Sequence, residues 1–263
     1  MTGKCRLCEE LRELRESHLL PRALYKRLLD KVNRKPHPLL FSEKDGHQTS
    51  RQAQQYLLCS DCEQRFHRYG EDWTLDYCAR DPNTFKLRDL LLSQTCSEVA
   101  DGIYCFYCAD IPDVNVDALC YFALSVVWRA AVTRWRIDNV PITRLDLGPY
   151  AGAFREYLQG VAGFPKDTVL WVCVTSLTEV PLICTFPETR NWGDYRSHFF
   201  SIPGITFTVD VGKRIPQGVR DTCLYRGRRR PLFYTAVADL VNVRDFARLA
   251  TMHGEGATVL RAQ

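Results

Sequence analysis

Apolar positions recur at helical spacing through the first part of the chain and at shorter, strand-like intervals later. Behind Pro21, Leu24, Tyr25, Leu28, Leu29 and Val32 predict a helix that Pro36 and Pro38 end. Leu39-Leu40-Phe41-Ser42-Glu43 and Gln48-Thr49-Ser50-Arg51 flank Lys44-Asp45-Gly46-His47, the pattern of a hairpin turning at Asp-Gly. Asp61 is placed to cap a helix running from about Cys62 through Phe66 and Tyr69 towards Trp73. The charged stretch Glu9 to Arg15 reads as a short return, and Phe85 to Cys96 as a strand or a short helix. Asp113 or Asn115 starts the strongest helix, whose stripe is Val116, Leu119, Cys120, Ala123, Val126, Val127 and Ala130, extended by Phe122. Gly148-Pro149 opens another, with Phe154, Tyr157 and Leu158 on its buried side.

After that helix the residue types change. Thr168–Thr175, Val180–Phe186, His198–Ile202 and Ile205–Val211 are rich in β-branched and aromatic residues and are parted by Gly and Pro, which predicts an antiparallel sheet. Asp245-Phe246-Ala-Arg-Leu249 reads as a closing helix. The expected class is α+β, with a small module at residues 1–75 and a larger helical and antiparallel-β body at 76–263. The boundary is placed between Glu71 and Asn83, where aromatic, acidic and Pro residues mix without period.

Composition sharpens this only in part. A hydrophobic content of 46% supplies a sizeable core. The longest mostly apolar run, Ala118 to Trp128, is too short to span a bilayer, and charged residues rather than an apolar segment follow Met1-Thr-Gly-Lys-Cys. The expectation is a cytoplasmic protein with no membrane partner. The net charge of +4 is concentrated in residues 1–70, which hold 14 Lys/Arg against 9 Asp/Glu and so favour contact with phosphates.

The cysteines carry the chemistry. Cys5-Arg-Leu-Cys8 and Cys59-Ser-Asp-Cys62 are two C-x2-C knuckles, and four thiolates so paired fit a structural Zn2+ site that closes the loop between them. Of the 12 cysteines, the other eight are expected to be mostly buried thiols. Cys96, Cys105, Cys108 and Cys120 are weighed as a second zinc set and set aside, since Cys120 lies on an apolar stripe. Arg226-Gly-Arg-Arg-Arg230 beside Tyr225 is a candidate nucleic-acid contact.

Read in order, Cys-x2-Cys, then Ser17-His18-Leu19-Leu20-Pro21, then the hairpin, then Leu57-Leu58-Cys59-x2-Cys62 opening a helix, resembles the zinc-bearing HNH endonucleases of the ββα-metal (His-Me finger) family. The resemblance covers residues 5 to about 67 and implies a zinc-bound, treble-clef-like ββα module. It implies metal-dependent hydrolysis of DNA phosphodiester bonds, in a setting such as antiviral (phage) defence. His18 takes the place of the general base, and Glu63 that of a catalytic ligand for Mg2+ or Mn2+. His67, one turn further on, shares that face. The chain departs from the family at Ser17, where Asp or His is usual, and at the middle Asn, for which Gln54 and Gln55 are the nearest amides. Those departures favour the competing reading: a catalytically inactive zinc module that binds nucleic acid or a partner protein.

Overall fold

The computed structural model describes residues 1–31, 39–41, 46–48, 51–81, 83–100, 103–137, 140–142, 144–176, 184–226 and 229–235. Strands β1 (Thr2–Lys4) and β2 (Leu11–His18) precede helix α1 (Arg22–Lys31), a small hairpin of β3 (Leu39–Phe41) and β4 (Gly46–Gln48), and β5 (Gln54–Cys59). β5 runs straight into α2 (Ser60–Phe66), a π-helical turn at His67–Glu71, and α3 (Asp72–Tyr77). Next come α4 (Lys86–Leu92), β6 (Ser97–Ala100), β7 (Ile103–Tyr107) and the long helix α5 (Val116–Val132). The chain continues through β8 (Arg136–Ile137), β9 (Val140–Pro141), α6 (Ala151–Gln159), β10 (Thr168–Thr175), β11 (Glu188–Asn191), β12 (Arg196–Ile202), β13 (Ile205–Val211), α7 (Gln217–Asp221) and β14 (Pro231–Thr235). The mixture of helix and strand is the α+β class that the pattern predicts.

A three-stranded sheet, ordered β1-β2-β5, lies at the N-terminal end, and a seven-stranded sheet, ordered β11-β12-β13-β10-β14-β7-β6, forms the body. The large sheet departs from the purely antiparallel expectation at one seam, where β14 pairs parallel to β10. Because β14 also pairs antiparallel to β7, it joins the two halves of the sheet. Helix α5 is buried on nearly every side, as a helix apolar all round must be. The Asn115 side chain caps it by accepting from the Ala118 N–H at 2.9 Å. Phe122 packs on Phe207 and Phe200 of the sheet, with ring centroids 5.5 and 6.1 Å away. Phe66 of α2 meets Tyr121 and Trp128 edge-on.

Helix α5 therefore lies between the large sheet and the N-terminal elements. The π-turn approaches it so closely that a Cβ on Gly70 would fall 2.9 Å from the Phe122 backbone nitrogen. The boundary read after residue 75 falls inside α3, and buried residues on both sides of it belong to one apolar cluster.

Several local expectations are corrected. Glu9 to Arg15 is no short return: Leu11 onwards is β2. Its alternation is hidden because the β2–β5 register shifts between Arg15 and Glu16, leaving Leu57 without a partner on β2. Asp61 is not a cap, since α2 already begins at Ser60 with Cys59 before it and no capping side chain. Of the strand or short helix read over Phe85 to Cys96, the structure shows the helix, α4, over Lys86–Leu92. β3 and β4 pair antiparallel as the hairpin reading expects, but Gly46 and His47, read as turn residues, belong to β4, and residues 42–45 lie outside the described residues. Most of Val180–Phe186, and Asp245–Leu249, lie outside them as well.

Candidate functional site

The site grows from two strand ends. The first knuckle sits in the turn between β1 and β2, where Glu9, at φ 62°, donates its N–H to the Cys5 carbonyl at 2.9 Å and turns the chain back. The second knuckle sits where β5 becomes α2. The ladder from β1 through β2 to β5 brings the knuckles together, and the Arg6 N–H reaches the Leu57 carbonyl at 3.1 Å. The ligand atoms of Cys5, Cys8, Cys59 and Cys62 all lie within 4.8 Å of one another.

Four sulfurs about 2.3 Å from one ion stand about 3.8 Å apart at the corners of a tetrahedron. The Cys8 and Cys59 sulfurs are 3.9 Å apart, close to that edge length. A hydrogen bond from the Cys62 thiol holds Cys5 down to about 4 against the opposing effect of burial, helped by the backbone N–H of Cys59 at 3.4 Å. These four cysteines could hold a metal ion such as zinc, as the spacing predicts.

They are the only group of three or more His, Cys, Asp or Glu side chains this close among the described residues. Cys105, Cys108 and Cys120 are buried and Cys96 is exposed. Burial pushes the Cys108 thiol up to about 12, the character of an inert structural thiol. The arginine run also has a local use. Arg226 donates to the backbone carbonyls of Phe164 (3.1 Å), Pro165 and Lys166 and lies over the Phe164 ring, while Arg229 lies over Tyr107.

Beside the cysteines, the end of β2 meets the start of α2. Ser17 is fully buried, its hydroxyl accepts from the Leu58 N–H at 3.2 Å, and it donates to Glu63 Oε1. Glu63 is half-buried, and that burial raises its pKa while the Ser17 hydrogen bond opposes the rise.

No protein-family model matches the chain, and no curated protein or solved structure matches it either. Its chemistry has to be read from its own side chains.

His18 is half-buried at the last position of β2, with its ring 6.5 Å from that of Tyr25. Its neighbours Leu19 and Leu20 are buried. Burial lowers the His18 pKa, as do the charges of Arg22 and Arg129, while Glu16 and Glu71 act in the opposite sense. Gln54 stands opposite His18 and Gln55 opposite Ser17 in the strand pairing. Gln55 is turned towards the Arg134 carbonyl, at 3.5 Å.

His67 is exposed at the first position of the π-turn, and His18, Glu63 and His67 do not gather within metal-ligating distance of one another. The residues that sequence reasoning missed are Glu71 and Arg129. The Arg129 guanidinium donates to the His18 carbonyl at 2.9 Å and to Glu71 Oε1 at 3.0 Å. The sequence signal was faint: one arginine inside a helix that is otherwise largely apolar.

Proposed function

We propose that the chain is a metal-dependent endonuclease that hydrolyses DNA phosphodiester bonds, with His18 as general base. One observation carries this reading. The hydrogen bond from Ser17 to Glu63 ties the end of β2, the strand that also carries half-buried His18, to the start of α2, the helix that carries Cys62 of the four-cysteine cluster. Antiparallel β2 and β5 followed by α2 is the order that a ββα-metal module requires.

His18, with its pKa lowered, is neutral at neutral pH and can take a proton from an attacking water. Exposed Arg22, close enough to act on His18, can pair with a phosphate oxygen. Glu63 would hold Mg2+ or Mn2+, whose chemistry there is to neutralise charge on the phosphate and the leaving oxygen. Ser17 restrains the Glu63 carboxylate, and the four cysteines hold the frame on a structural zinc.

A second reading is favoured by the exposed position of His67 and the lack of a compact His18–Glu63–His67 set. On that reading the module binds nucleic acid or a partner protein without cutting. Cleavage of plasmid and single-stranded DNA with Mg2+ or Mn2+ separates the two, comparing wild type with His18→Ala at matched zinc content. Loss of a general base should lower the rate on the order of 10^2- to 10^4-fold. No cleavage by wild type, or equal cleavage by the variant, would refute the nuclease reading.

A further inference from the structure

The body of the protein reaches into the proposed active centre through one side chain. Arg129 belongs to the last turn of α5 and is 1% exposed. Its fork is distributed over two neighbouring elements: Nη1 donates to the backbone carbonyl of His18 and Nη2 to Glu71 of the π-turn. Longer contacts of 3.4 Å tie its Nε and Nη2 to Ser125, and the Phe66 ring lies against the guanidinium at 5.3 Å. The Trp135 indole donates to the Arg129 carbonyl at 2.9 Å and fixes the helix end from which the side chain projects.

A buried cation costs several kcal/mol unless it is paired and its donors are used. One carboxylate would suffice to pair it. The additional bond goes to the carbonyl of the one residue whose imidazole must be held in place. The π-turn, marked by the Asp72 N–H bonding five residues back to the His67 carbonyl, brings Glu71 to the same guanidinium.

We propose that Arg129 is a positioning residue for His18, locking the backbone of the general base and Glu71 into one arrangement, so that the body is an obligatory part of the nuclease site. This rests on the nuclease reading for its catalytic consequence, but the placement itself can be tested without activity. The groups facing His18 are Glu16 on its own strand, Arg22 of α1, Glu71 of the π-turn and Arg129 of α5, with the Tyr25 ring alongside.

Two variants of the full chain test it. Arg129→Lys keeps the charge but loses the planar fork that serves both acceptors. Arg129→Gln combined with Glu71→Gln removes both charges and leaves neither one buried alone. With zinc content and melting temperature matched to wild type, the expected result is a kcat loss on the order of 10^2-fold with KM unchanged. The His18 carbonyl carbon and ring signals should shift in NMR spectra of both variants. If wild type cleaves and the variants keep its kcat, the positioning role is overturned while the nuclease reading stands. If wild type does not cleave, the nuclease reading falls and the NMR signals alone decide: moved His18 signals uphold the placement, unmoved ones overturn it.

Discussion

His198 shows how one buried side chain ties stability to pH. It is fully buried on β12, its Nδ1 meets the Thr189 hydroxyl at 2.8 Å, and among the described residues its Nε2 has no hydrogen-bond partner. Burial, with a smaller contribution from Arg196, lowers its pKa to about 4. The unfolded chain therefore binds this proton first as the pH falls, and stability present above about pH 6.5 is lost on the way to pH 4. That linkage amounts to roughly 3 kcal/mol at most. His198→Phe should flatten the fall of chemical-denaturation stability between pH 6.5 and 4 relative to wild type. An unchanged slope would mean that His198 is not the group responsible. The linkage was not visible in the sequence, where His198 was only one more residue of a β-rich stretch. The same limit applied at Ser17: as a departure from the family pattern it looked like a loss, and only its contact with Glu63 gives it a use.

At the scale of elements, legibility followed regularity. Ile205–Val211 and Thr168–Thr175 are strands over the lengths that their residue types predict, and α5 starts where Asn115 offers a cap. The elements around the site were harder to see because each breaks its own period. In β2, next to the register shift, Arg15 and Glu16 are both exposed, so no alternation remains to read. In the helix after Cys59, the π-turn moves the buried position to Gly70. That glycine gives a direct test. A methyl group at Gly70 meets the backbone of Phe122 rather than a side chain able to turn away. Gly70→Ala should cost about 1–3 kcal/mol, towards the upper end because backbone must move. Equilibrium denaturation measures it, and a neutral result would show that the contact between the π-turn and α5 is loose.

At the scale of the whole molecule, the four-cysteine module and the body share one interior. Gln159 of α6 donates to the Leu7 carbonyl at 2.7 Å, Arg155 pairs with Glu9, and Arg129 ends at His18. The two-part organisation read from composition did not foresee these ties, because partners more than a hundred residues apart leave no local pattern. They carry a consequence for metal removal. The binding energy of a metal at a four-thiolate site is folding energy, and a metal held there would act on α6 through these contacts. Chelation should release one zinc per chain, read by a colorimetric metal indicator, and lower the melting temperature of the entire chain in a single shifted transition. A body transition left at its original temperature would show the two parts to be thermally independent.

The place of β14 has a further consequence, which concerns the order of synthesis. A chain growing from its N-terminus completes both cysteine knuckles by residue 62, but β7 and β10 become neighbours only when residues 231–235 are inserted between them. Until then each of those strands presents an unpaired edge, the condition that invites association with other chains. The four-cysteine cluster can assemble on the ribosome, whereas the sheet that backs the proposed active centre must wait for nearly the whole of the described polypeptide.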